Sequence, residues 1–270
     1  MKAPEEKKEK TAADILGNPD YQAVSFGGYR NVDHDIEPTV EELKEDMRLL
    51  HAMGIRFLRT YNVQLPHASN VVKAISELKQ ADPSFEMYVM LGAWIDCEGA
   101  WTSAPNHAVQ DFEANEAEIQ RAVALAQQHP DIIKVIAVGN EAMVHWAASY
   151  FVAPEVILHW VKHLQGLKAE GNLPSDVWIT SSDNFASWGG GGPEYHNADL
   201  DSLILAVDYV SMHTYPFHDT HYNPTFWKGG EFDPTDVDGA MARAVAYSQN
   251  QYASVVNYVR RLDPNKPVHI

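Results

Sequence analysis

The chain has one cysteine, Cys97, in 270 residues. No disulfide can form within it, and no thiolate metal cluster can be built from it alone. Basic residues are also in short supply, 20 Lys and Arg against 37 Asp and Glu, for a net charge of −17. That balance argues against nucleic acid and anionic membrane surfaces as partners, because both are bound through clustered lysines and arginines. No uninterrupted apolar run is long enough to cross a bilayer, and the opening MKAPEEKKEKTAAD lacks the apolar centre of a signal peptide. Those absences leave a cytosolic chain or a mature form whose export signal has been removed. The first strand-to-helix turn also lacks the G-x-G-x-x-G spacing of a dinucleotide site.

What is present is a repeated unit. At 45% apolar composition the length suits one large domain with a substantial core. Residues 1–20 combine a Lys/Glu run with no periodicity and are expected to form a disordered leader. From residue 21 to 270, short apolar strands alternate with amphipathic helices. Strands are expected at 23–30, 55–62, 87–94, 132–138, 177–183, 209–215 and 266–270. Helices are expected from the Thr39 capping box to the Gly54 stop, then over 71–81, 117–128, 154–171, 200–207 and 241–262. Six βα units and a seventh strand, with no antiparallel hairpin signal between them, point to the α/β class and a (β/α)₈ TIM barrel rather than an open doubly wound sheet. Closure takes eight strands, so about seven strands and six helices amount to an incomplete barrel.

Chemistry in such a fold collects just past the strands. Those positions hold Tyr29 and Arg30, Tyr61 and Asn62, Trp94, Asn140 and Glu141, Asp183 and Asn184, and His213 and Tyr215. These are groups that stack on sugar faces or hydrogen-bond to vicinal hydroxyls. Trp101, Trp146, Trp188 and Trp227 fall in the neighbouring loops, where they line a groove or anchor the rim. Glycoside hydrolysis needs one protonated carboxyl and one ionised carboxyl across the scissile bond. Glu141 suits the first role, with Asn140 on the sugar's 2-hydroxyl. Asp183 is the best second carboxyl within the chain, but the adjacent Asn184 suggests a substrate-binding pair instead. The segment HTYPFHDTH places His213, His218, Asp219 and His221 close together, at a spacing that fits no standard metal motif. Cys97 is expected to be buried and inert.

The segments SFGGYR, IRFLRTYN, VIAVGNE and HTYPF resemble those of bacterial family 17 glycoside hydrolases of clan A, the β-1,3-glucanase and β-1,3-glucanosyltransferase family. The resemblance runs from about residue 21 to 270. It implies a retaining double displacement on laminarin-like β-1,3-glucan in which no metal and no organic cofactor takes part, with Glu141 as general acid/base, Asn140 as the 2-hydroxyl partner, and Tyr29, Tyr61 and Tyr215 as sugar contacts. It also implies a glutamate nucleophile at the end of the seventh strand. The chain stops at Lys266-Pro267-Val268-His269-Ile270, before that glutamate, so the expectation is a truncated enzyme that is inactive alone. An extracytoplasmic, mature form is what the family suggests. Glucanosyl transfer at the same site, or glucan binding without catalysis, are the alternative readings.

Overall fold

The computed structural model describes residues 9–32, 34–222 and 236–270. Its centre is a seven-stranded parallel sheet of the TIM-barrel type, built from β1 (Gln22–Ser25), β2 (Ile55–Arg59), β3 (Tyr88–Ala93), β6 (Ile133–Asn140), β7 (Trp178–Asn184), β8 (Val210–His213) and β9 (Val268–His269), in that order. Between them run α2 (Val40–Ala52), α3 (Pro66–Ala81), α4 (Phe112–Gln128), α5 (Pro154–Ala169), α6 (Ala198–Ala206), α7 (Pro216–Tyr222) and α8 (Val237–Leu262). Local chemistry fixes several helix ends. Thr39 and Glu42 form a reciprocal capping box at the start of α2. Pro154 opens α5, where its missing N–H costs nothing.

Side chains alternate across each strand between two apolar clusters. Leu58, Val89, Leu91, Ile136, Val138, Ile179 and Val210 point out against the helices, where α3 buries Val71, Val72, Ile75 and Leu78. Full burial of each such aliphatic side chain stabilises by roughly 1.5–3 kcal/mol. The opposite face collects Phe57, Tyr88, Met90, Val135, Ala137 and Tyr209 at the lower end of the barrel interior. Continuing up that face by twos, the apolar groups give way to Arg59, Thr180, Ser182, Ser211 and His213. The interior is thus apolar below and polar towards the mouth.

Residues 12–15 are not a disordered leader: Thr11 caps the helix α1 (Ala12–Ile15), and Ile15 is buried against the interior cluster. An isolated apolar pair among charges showed no periodicity, yet it plugs the lower end of the barrel. The antiparallel hairpin of β4 (Cys97–Glu98) with β5 (Asn106–Gln110) was likewise not foreseen, because its strands are short and its outer face is polar. Cys97 is fully buried in that hairpin, and burial pushes its thiol pKa up. No helix among the described residues is long and apolar enough to cross a membrane.

Candidate active site

Strand β6 ends in a forced turn. Gly139 (φ 80°) and Glu141 (φ 46°) both take left-handed backbone, which for a glutamate is uncommon and costs free energy. A Cβ on residue 139 would stand 2.8 Å from Ala142 Cβ, so only glycine fits. Three bonds hold the turn: Glu141 N–H to Ser182 O (2.9 Å), Met143 N–H to Asp183 Oδ2 (2.8 Å) and Val152 N–H to Ala142 O (2.7 Å). The strain is fastened to β7 and directs the Glu141 carboxyl over the barrel mouth.

The polar upper interior then orients Asn140 and Glu141. His213 Nδ1 lies 2.8 Å from Glu141 Oε1, and His213 Nε2 lies 2.7 Å from Ser182 Oγ. Burial pushes the His213 pKa down, and although the hydrogen bond to Glu141 opposes this, the net effect favours the neutral ring. Arg59 donates to Asn140 Oδ1 and to Ser25 Oγ, and its guanidinium sits 5.0 Å from the centre of the Tyr61 ring. The Asn140 amide is thereby oriented, its oxygen committed to Arg59.

Above these groups opens a cleft of about 790 Å³ lined by Glu141, Trp146, Asn184, Tyr215, His218 and Asp219. Trp146 is 64% exposed and Tyr215 is 45% exposed. Along the rim Trp101 stacks on Tyr150 at 4.8 Å, Trp94 packs on both, and Trp94 Nε1–H donates to Asp96 at 2.8 Å. A carboxyl at the floor, aromatic faces beside it and amide and hydroxyl groups around it suit a sugar chain. Among the described residues no three His, Cys, Asp or Glu side chains converge as metal ligands. The His221 side chain and Trp227 lie outside the described residues.

Of the expected site residues, the structure brings Glu141, Trp146, Asn184 and Tyr215 to the cleft, with Asn140 and Tyr61 beneath and Trp94 on the rim. Others are placed differently. Asp183 is fully buried with its oxygens on the N–H groups of Met143 and Asn184, so it supports the turn and cannot touch a sugar. Arg30 pairs bidentately with Asp46 on α2. Tyr29 is stacked between His34 and His67 and donates its hydroxyl to Glu37. Asn62 accepts from Leu65 N–H ahead of α3. His213 is turned to Glu141 and Ser182, with both ring nitrogens occupied. Trp188 is completely buried, its N–H on Ser211 O.

No protein-family model matches the chain, and no curated protein does. Among solved structures it is similar to an endo-laminarinase from Formosa Hel1_33_131, at 62% identity and a TM-score of 0.92, over 97% of this chain and 68% of that one. The chain belongs to the family 17 glycoside hydrolases. A second family 17 likeness, to CJP38, a β-1,3-glucanase and allergen of Cryptomeria japonica pollen, has 16% identity and a TM-score of 0.57 over 91% of this chain and 72% of that one, and shows the fold alone. The family 17 mouth contains groups that strand-end reading passed over. Arg59 precedes Tyr61 by two, on the same inward face, so strict alternation along IRFLRTYN would have found it. Ser182 and Ser211 alternate inward in the same way. Tyr150 sits in a loop with no period and gave no signal.

Proposed function

We propose that this family 17 enzyme hydrolyses β-1,3-glucan of the laminarin type with retention of configuration, Glu141 acting as general acid and then general base. One observation carries the assignment: the Glu141 carboxyl, held out on a strained turn and bonded by His213, is the strand-end carboxyl on the floor of the aromatic cleft. The identity to an endo-laminarinase supports the substrate class. In the first step Glu141 gives its proton to the departing glycosidic oxygen while a second carboxylate attacks the anomeric carbon. In the second step ionised Glu141 takes a proton from water, which releases the sugar. Asn140, oriented by Arg59, bonds the 2-hydroxyl as the ring flattens towards its oxocarbenium geometry.

The family resemblance gives the attacking role to a glutamate on the barrel strand next to β8. Strand β9 lies parallel to β8, with Val210 opposite Val268 and Ser211 opposite His269. The test is reducing-end release from laminarin by the wild-type protein and by Glu141→Gln. Loss of release on unactivated glucan with glucan binding retained is expected. A Glu141→Gln variant that still turns laminarin over removes the assignment.

A further inference from the structure

The direction of the bonds behind Glu141 decides which of its two oxygens carries the working proton. Ser211 Oγ lies 3.3 Å from Ser182 Oγ, Ser182 Oγ lies 2.7 Å from His213 Nε2, and His213 Nδ1 lies 2.8 Å from Glu141 Oε1. All three supporting residues face inward from two adjacent strands, with Ser182 opposite Ser211 and Asn184 opposite His213 in the β7–β8 register. Each is buried: Ser182 is 1% exposed, and Ser211 and His213 are 8% exposed.

A neutral imidazole has one N–H and one acceptor nitrogen, so it can donate at one end of this chain only. Two arrangements are possible in principle. In one, Ser182 donates to Nε2 and Nδ1–H donates to Glu141 Oε1. In the other, Nε2–H donates to Ser182 and Nδ1 accepts a hydrogen bond from the protonated Glu141 carboxyl. They differ in consequence. With Nδ1–H pointing at Oε1, that oxygen is an acceptor whether Glu141 is protonated or ionised, and the acidic proton rides on Oε2. In the alternative, the proton is held between Oε1 and the imidazole, away from the glycosidic oxygen.

We propose that Ser182 is a positioning residue that locks His213 as its Nδ1–H tautomer, so that Oε1 of Glu141 is permanently occupied and Oε2 is reserved for delivering and recovering the catalytic proton. The hydroxyl of Ser211, donating to Ser182 Oγ, completes a run of donors aimed one way. The tautomer of a histidine is set by the hydrogen bond at its far nitrogen, and here that nitrogen meets the Ser182 hydroxyl, with the Ser211 hydroxyl behind it. The charged and titratable groups facing this cluster are Arg59 from β2, Tyr209 just before β8, His269 from β9, and Tyr61, Tyr150 and Tyr215 around the mouth, while Asp183 acts on Glu141 from the other face of β7. The positive charge of Arg59 opposes protonation of His213, and burial does so more strongly, which keeps the ring neutral and the choice of tautomer meaningful.

The inference rests on the acid/base reading of Glu141, and its test separates the two. Nitrogen-15 NMR of histidine-labelled wild-type protein reads the His213 tautomer without any turnover. A protonated Nδ1 with an unprotonated Nε2 is expected, and a protonated Nε2 overturns the proposal even if Glu141→Gln is inactive. Ser182→Ala, which deletes the hydroxyl, should bring the Nε2–H tautomer into the spectrum. In kinetics the same variant should lose on the order of 10–100-fold in kcat on laminarin, within the usual range for general acid catalysis. It should lose several-fold less on an aryl β-glucoside whose leaving group needs no protonation. Ser182→Thr, which keeps the hydroxyl, should restore the wild-type ratio of the two rates. Equal losses on both substrates in Ser182→Ala, with the tautomer unchanged, count against the proposal.

Discussion

Asp183 Oδ2 accepts the backbone N–H of Met143 at 2.8 Å, and through that bond a fully buried carboxyl on β7 fastens the turn that carries Glu141. Its Oδ1 accepts the N–H of Asn184 at 2.8 Å. Both bonds favour the ionised group, but removal from water outweighs them, with a smaller push from the Glu141 charge, and the Asp183 pKa is pushed up to about 7. The turn is therefore held by a group that titrates near neutrality.

A pH dependence of stability follows from that shift. The folded pKa lies above the unfolded one, so the stabilisation is full below the ordinary aspartate range near pH 4 and is lost as pH rises through about 7. Asp183→Asn removes the titration. Thermal denaturation of both proteins between pH 4 and 8 should show the wild-type Tm, measured relative to the variant, falling as pH increases. A constant difference across that range would mean that Asp183 does not titrate there.

Glu118 makes a second prediction, on the opposite side of the mouth. It is buried on α4, and its Oε1 accepts the N–H of Val63 at 2.5 Å and the N–H of Trp94 at 3.1 Å, tying together the loops that follow β2 and β3. Its other oxygen pairs with Arg121, which is 42% exposed at the side chain, so that ion pair contributes little. Glu118→Ala leaves the buried Val63 N–H and the half-buried Trp94 N–H without a partner and should cost about 1–3 kcal/mol by chemical denaturation. Glu118→Gln keeps a carbonyl oxygen and should cost less. The KM for glucan should rise more in the alanine variant, because Trp94 is released.

The barrel was legible because each strand that builds it is an apolar run ended by turn chemistry. Ile133–Asn140 is buried on both faces almost throughout, and such a run can be read directly. The Asn140–Glu141 ending was legible for the same reason, since the strand stops where the polar pair begins. What escaped was support from a distance. Nothing in the sequence around Asp183 announces that its oxygens face backbone donors, because those donors come from residues 143 and 184 and burial is a tertiary property. The stacking of Tyr29 between His34 and His67 escaped likewise, as the rings lie up to 38 residues apart. Helix α1 went unseen because four residues are too few to show a period.

Gly92 on β3 lies tightly against the backbone just past the end of β2. A Cβ there would meet Thr60 O at 2.5 Å and Tyr61 Cα at 2.8 Å, both backbone atoms that cannot swing aside. Gly92→Ala should thus separate the strands and displace Tyr61 from beneath Arg59. Overpacking of this kind costs typically about 1–3 kcal/mol. The expected result is a lower Tm together with a reduced kcat on laminarin, and an unchanged Tm would show that the strands part without penalty.

Trp146 and Trp188 put the division between binding and folding to the test with a single residue type. Trp146 stands 64% exposed on the cleft wall, while Trp188 is completely buried with its N–H donated to Ser211 O at 2.9 Å. Removing an exposed ring costs the fold little, because surface substitutions away from special features usually stay within about 0.5 kcal/mol. Removing a buried tryptophan loses its packing, opens a cavity and frees a carbonyl, for about 3–5 kcal/mol. Trp146→Ala should therefore keep the wild-type Tm and raise the KM for laminarin, since it strips an aromatic face from the sugar's path. Trp188→Ala should lower Tm sharply and disturb Ser211 at the rear of the Glu141 support. If Trp146→Ala binds laminarin oligosaccharides as tightly as wild type in calorimetry, the glucan does not run along that wall, and its path lies over the Trp94, Trp101 and Tyr150 side of the mouth instead.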